Sequence, residues 1–284
     1  MTTRTDLHCL HDGGRYFEGP RWHAGRLWFV DCMERTLLSL APSSECEQHA
    51  KFDDDTPCGL GVLPDGSTIV LTMFRKRLFA YRSGELSLYA DLSAIATGTI
   101  DDMIIDGLGR AWVGDLGFDL PPPPDRGAVG RILLVMPDGA ARVVADGLRF
   151  PNGIAVSADN RRLVVAEMDG GCLADYDIAA DGGLNFRGRF GTMKSPDGIC
   201  LDQEEAVWVA SFDEDAFIRL DREGHELERI EMPGRRAIAC ALGGEGRRML
   251  FCLSAATSYE QLRQGKSSAR IDTVEVEIPG AGCP

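Results

Sequence analysis

A short β-type run recurs six times along this chain at near-constant spacing: 27–31 (Leu-Trp-Phe-Val-Asp), 68–72, 111–115 (Ala-Trp-Val-Gly-Asp), 163–167, 207–211 (Val-Trp-Val-Ala-Ser) and 249–253. Between their last residues the steps are 41, 43, 52, 44 and 42. A unit of that size cannot bury its apolar face alone and must stack on its neighbours, which restricts the chain to repeat architectures. Each run follows a turn rich in Gly, Asp or Asn, such as Pro64-Asp65-Gly66 or Ala158-Asp159-Asn160, as a hairpin connection requires. A second alternating run comes next, at 37–40, 78–81, 132–135, 173–176, 217–220 and 274–276, and an outer run at 46–52, 86–91, 141–145, 184–190 and 226–231. This pattern predicts an all-β fold, a six-bladed β-propeller with four strands per blade. The sixth blade runs out of chain before its outer strand, and segment 6–11 is expected to supply it and close the ring. No long 3.6 periodicity supports a helical or βαβ alternative. The prolines at 121–124 read as part of a loop, so one domain is expected over 1–284.

In a propeller the first strand of each blade lines the axis, so one repeat position taken from all blades forms a ring. The aligned inner strands, 18–23, 58–63, 101–106, 152–157, 197–202 and 238–243, put Glu18, Cys58, Asp101, Asn152, Asp197 and Ile238 in that ring. Four of the six are oxygen donors and three are carboxylates. Unpaired in a narrow channel, they would repel and be costly to desolvate; one bound divalent cation removes the conflict, and a water-filled channel is the alternative. Oxygen donors without His make Ca²⁺ the first expectation, with Mg²⁺, Mn²⁺, Zn²⁺ or Fe²⁺ as the other choices.

A net charge of −14 over 284 residues disfavours nucleic acid and anionic membrane surfaces as partners. No apolar run approaches the ~20 residues of a membrane span, and the first ten residues lack a signal-peptide core. The expectation is a cytoplasmic monomer or small homo-oligomer. The nine cysteines are odd in number, show no Cys-x-x-Cys spacing and often sit in apolar runs, so they are expected to be reduced and structural. The five histidines show no metal-ligand spacing, Asp53-Asp54-Asp55 reads as a solvated turn, and neither a serine-hydrolase elbow nor a phosphate loop is present.

Three segments, Phe17-Glu18-Gly19-Pro20-Arg21-Trp22, Phe150-Pro151-Asn152-Gly153-Ile154-Ala155 and Ser195-Pro196-Asp197-Gly198-Ile199-Cys200, resemble the signature stretches of the senescence-marker-protein/gluconolactonase family, in order and at blade spacing. The resemblance implies a six-bladed propeller with one divalent metal held at Glu18, Asn152 and Asp197, and hydrolysis of a lactone with Asp197 as general base. One stretch departs from it. Sugar-lactone members of the animal type carry Arg-x-Asn-Asp in the third inner strand, whereas this chain has Thr99-Ile100-Asp101-Asp102. Ile-Asp-Asp-Met resembles instead the bacterial drug-responsive lactonase branch and, by position, the fourth ligand of diisopropylfluorophosphatase-like propellers, which implies Asp101 as a direct metal ligand.

The expected chemistry is polarisation of a lactone carbonyl at the open side of the cation and attack by water. Asp197 or Asp102 would serve as a weak base, since a nearby cation pulls a carboxylate pKa down. Asp101, Arg21, Phe118 and Tyr259, with Asp119, are candidates for substrate contact, the last three on two long connections, 116–130 and 254–270. Strand alternation predicts that Pro20 and Trp22 share the Glu18 side if no bulge intervenes, while Arg21 and Trp22 could each face the channel or pack between blades. Two rivals stand beside the lactonase: a phosphotriesterase-like metal hydrolase on the same scaffold, and a non-catalytic binding propeller.

Overall fold

The computed structural model describes residues 2–4, 6–125 and 127–282. Six antiparallel sheets follow one another around a common axis. Blade one consists of Phe17–His23, Arg26–Asp31, Thr36–Leu40 and Cys46–Lys51, from the axis outward. The inner strands of blades two to six are Pro57–Val62, Ile100–Ile105, Pro151–Val156, Pro196–Leu201 and Arg236–Gly243. Each packs beside its neighbour, and the sixth packs against the first, so the ring is closed. The propeller and the inner-strand alignment are therefore as the repeat predicts.

The second strands are continuous apolar runs because both of their faces are covered by adjacent blades. Thr68–Thr72, Ala111–Asp115 and Val207–Ser211 are buried at every residue, and Trp112 and Trp208 are among the largest wholly buried side chains. Outer strands such as Cys46–Lys51 have one wet edge and are correspondingly polar.

The ends of the chain are tied in twice. His8–Gly14 pairs antiparallel with Ser268–Glu275 as the fourth strand of blade six, two or three residues downstream of the expected segment. Thr2–Arg4 adds a fifth strand to blade five, parallel to Glu226–Glu231, which the repeat did not predict. In blade six the third strand is also longer than expected: Ser268–Glu275 pairs along the whole of Met249–Ala256, burying Ala269 and Ile271. The connection shrinks to 257–267 and holds the short helix Tyr259–Arg263, capped by the Ser258 hydroxyl, which accepts from the Gln261 N–H. No helix among the described residues is long and apolar enough to cross a membrane.

One irregularity repeats in every blade. The register between inner and second strand slips by one residue after Glu18, and likewise between Pro57 and Leu60, Ile100 and Met103, Pro151 and Ile154, Pro196 and Ile199, and Ala237 and Ala239. A bulge of this kind leaves the extra residue unpaired and re-aims its side chain. In blades two to six the ring residue lies within it, whereas in blade one Glu18 still pairs with Val30 and the extra residue follows it. Gly19 makes room for it in blade one: its φ is +58°, and a Cβ there would stand 2.6 Å from the Cys58 carbonyl oxygen.

Candidate active site

Glu18, Cys58, Asp101, Asn152, Asp197 and Ile238 stand at equivalent positions near the start of the six inner strands, at or just before the bulge. Asp101, Asn152 and Asp197 are 7%, 8% and 2% exposed, while Glu18 keeps more contact with the channel. Burial and mutual repulsion push Glu18 and Asp197 well above the ordinary carboxylate range, with Asp197 acting on Glu18 and Asp101 and Asp102 acting on Asp197. Asp101 is pushed up to about 7, chiefly by burial, and the Cys58 thiol that donates to its Oδ1 at 3.3 Å works against this rise. Asn152 donates to Asp197, yet Asp197 Oδ1 is buried with no hydrogen-bond partner. An orphaned buried carboxylate oxygen facing a cluster of like charges is the signature of a missing positive charge. Three carboxylates and an amide oxygen are hard donors suited to a divalent cation, so the residues present fit one.

Asp102 is placed differently. Its Oδ1 accepts from the Met103 N–H at 2.7 Å, its carboxylate also accepts from the Ile154 N–H, and Arg21 lies 3.6 Å away. The bulge after Glu18 reverses the alternation expected along that strand. Arg21 points into the interior and donates to the carbonyls of Pro20 and Met103, while Trp22 packs between blades, stacked on Phe251 at 5.4 Å. The expected shared side of Glu18 and Trp22 is therefore not realised.

Beneath the ring the channel narrows to a cavity of about 40 Å³ lined by Arg21, Cys200, Cys240 and the segment 280–282. That segment is held where inner strands end, through Ala281 N–H to the Leu201 carbonyl and Gly280 N–H to the Arg247 carbonyl. The opposite side of the ring is where the inner strands begin.

The mouth on that side is built from the residues two places before each ring position: Tyr16, Thr56, Thr99, Phe150, Ser195 and Arg236. Buried acids at the ends of second strands hold these entry segments. Asp31 accepts from the N–H groups of Arg15 and Tyr16, Asp115 from those of Thr97 and Gly98, and Glu167 from that of Arg149. These three acids end the recurrent runs in the sequence, and that position was the signal for their anchoring role. Phe118 stands edge-on to Phe150 at 5.7 Å, and Met168 Sδ lies 3.8 Å from Asn152 Nδ2. Tyr259 is 44% exposed, packs 5.0 Å from Phe212 and donates to Asp213 Oδ2 at 3.1 Å. Asp213 also receives the Ser195 hydroxyl and pairs with Arg236 at 3.4 Å. Asp119 is exposed, 3.9 Å from Lys76. Tyr16, Phe150, Met168 and Arg236 were not singled out from the sequence.

Several secondary expectations change. Asp55 is buried and accepts from the N–H groups of Thr56, Phe74 and Arg75, so it anchors a loop and is not solvated. His225 does come together with Asp221 and Glu223, the one His/Cys/Asp/Glu group among the described residues with all ligand atoms within 4.8 Å; it is an exposed turn in which Asp221 accepts from the Glu223 and His225 N–H groups. The ring carboxylates are spaced more widely than that. Eight cysteines are free thiols, of which Cys9 and Cys46 are exposed, and Cys283 lies outside the described residues.

Residues 17–256 match the family described as SMP-30/Gluconolactonase/LRE-like region. A 6-deoxy-6-sulfogluconolactonase of Pseudomonas putida is 30% identical, the match covering 94% of this chain and 93% of the relative. A pentonolactonase of Haloferax volcanii is 26% identical over 90% of this chain and 85% of its own length. Among solved structures, a calcium-binding regucalcin from Agrobacterium tumefaciens superposes with a TM-score of 0.80 at 22% identity, covering 99% of this chain and 97% of that one.

Proposed function

The chain belongs to the SMP-30/gluconolactonase/LRE-like family, and from that premise we propose that it hydrolyses a small lactone with one divalent cation held by Glu18, Asp101, Asn152 and Asp197. The observation that carries this reading is the buried, unpartnered Asp197 Oδ1 within a ring of oxygen donors. The names of the pentonolactonase and sulfogluconolactonase relatives support the reaction class. The cation supplies Lewis acidity toward the lactone carbonyl when bound.

The protein's own side chains do the rest. Substrate would approach from the side where the inner strands begin, past Tyr16 and Phe150. Phe118 and Tyr259 flank the mouth and would seat the face of the lactone ring, excluding bulk water around the carbonyl. Asp197 is the better-placed base because it stands in the ring itself, whereas Asp102 is occupied by two backbone N–H groups and Arg21. Asp197 would take a proton from the attacking water and return it to the departing ring oxygen, opening the ester to a hydroxy acid. The Arg-x-Asn-Asp stretch of the sugar-type branch is absent, so substrates less dependent on hydroxyl recognition are included. The test is hydrolysis of a panel of sugar, aliphatic and aromatic lactones, with and without chelator. Hydrolysis that is lost on chelation and restored by added metal supports the reading; a panel that stays inert with every divalent ion rejects it.

A further inference from the structure

Cys58 occupies the ring position of blade two, where blades one, three, four and five carry Glu18, Asp101, Asn152 and Asp197, and its strand carries the same bulge. Its thiol is 5% exposed and donates to Asp101 Oδ1 at 3.3 Å. A second buried thiol, Cys32, follows the second strand of blade one and stands near Cys58. A structural cysteine behaves as a small hydrophobe among apolar neighbours. Cys58 has instead a carboxylate in contact and Glu18 near enough to act on it electrostatically.

We propose, on the reading that this ring holds a divalent cation, that Cys58 Sγ is a further donor to the same ion and gives this centre a preference for Zn²⁺ or Co²⁺ over Ca²⁺. Sulfur is polarizable and adds affinity for ions of that class, whereas Ca²⁺ takes oxygen ligands and gains nothing from it. Coordination replaces the S–H···O bond to Asp101; the thiol proton leaves to solvent, and Asp101 Oδ1 is freed to bind. No electron is transferred. Cys32, set behind Cys58, supports the sulfur and does not bind the ion itself.

The test uses the full-length protein loaded with Co²⁺. A sulfur-to-cobalt charge-transfer absorption in the near ultraviolet is expected in the wild type and in Cys32→Ser, and is lost in Cys58→Ser, a smaller residue that keeps a donor for Asp101. Calorimetry should show the Zn²⁺-to-Ca²⁺ affinity ratio falling on the order of tenfold in Cys58→Ser. Bound Co²⁺ without the sulfur band, or an unchanged affinity ratio, overturns the inference while leaving the ring-bound cation intact. Wild-type protein that binds no divalent ion overturns both.

Discussion

The guanidinium of Arg21 lies 3.6 Å from Asp102 Oδ1, reaching from blade one past blade two to blade three. Both groups are largely enclosed, so this contact places a positive charge directly beside Asp102. It also ties up the acid that stands next to a candidate ligand in sequence. On the proposed reading, that pairing leaves Asp102 to shape the site and Asp197 to act as its base.

Asp197→Asn keeps an oxygen at similar size and removes the base. Turnover should fall by roughly 10² to 10⁴-fold at saturating metal, with metal binding retained, while Asp102→Asn should cost about tenfold or less. Steady-state kinetics of the two variants at several metal concentrations decide the matter; the reverse ranking would assign the base to Asp102.

Glu18→Gln leaves the shape of the ring but removes one ligand charge. Its metal dissociation constant should rise by about 10 to 100-fold, and excess metal should restore most of the turnover. Isothermal calorimetry measures the first and metal titration of activity the second. A loss of turnover that no metal concentration repairs would mean that Glu18 acts on substrate.

Gly153→Ala tests the packing under the ring. A Cβ at Gly153 would stand 2.5 Å from the Asp197 carbonyl oxygen and 2.7 Å from the Ile199 nitrogen, both backbone atoms of the next blade. Overpacking of this kind costs about 1–3 kcal/mol. Melting temperature should drop by roughly 2–4 °C for each of those kcal/mol, accompanied by weaker metal binding as Asp197 shifts. An unchanged melt would show that neighbouring blades slide freely past each other.

His49 predicts an acid-side loss of stability. Its ring stacks on Trp28 at 4.3 Å and shares a 2.7 Å hydrogen bond with the Ser39 hydroxyl; the Tyr81 hydroxyl is at 3.4 Å and Glu47 Oε1 at 3.9 Å. Burial lowers its pKa below the usual 6.5, with Glu47 opposing and Arg26 adding to the shift. The unfolded chain therefore takes up a proton on His49 before the folded protein does, and stability falls as pH drops below the unfolded value. Thermal melts of the wild type between pH 7 and pH 5 should slope downward more steeply than those of His49→Gln. The ring carboxylates titrate in both proteins, so the difference isolates His49.

The blades and the ring were legible because they rest on repetition. A residue type that returns at one position every 41 to 52 residues needs no knowledge of the turns between. Features that break the repeat were not legible. The bulge after Glu18 carries no mark in the side-chain order beyond Gly19 and Pro20, so the sides of Arg21 and Trp22 stayed open until the strand register was seen. Ser268–Glu275 begins Ser-Ala-Arg-Ile, too polar to read as a buried strand until the facing Met249–Ala256 is seen to cover it. Asp55 looked like one acid in a wet triplet, since three backbone donors converging on a carboxylate leave no pattern in the side-chain order.

The placement of His8–Gly14 on blade six and Thr2–Arg4 on blade five bears on how the molecule is made. Each segment pairs with chain more than two hundred residues further along, so neither seat exists until blades five and six have formed. Ring closure is therefore a late event of folding, and the sheet edges at the seam stay uncovered until it happens.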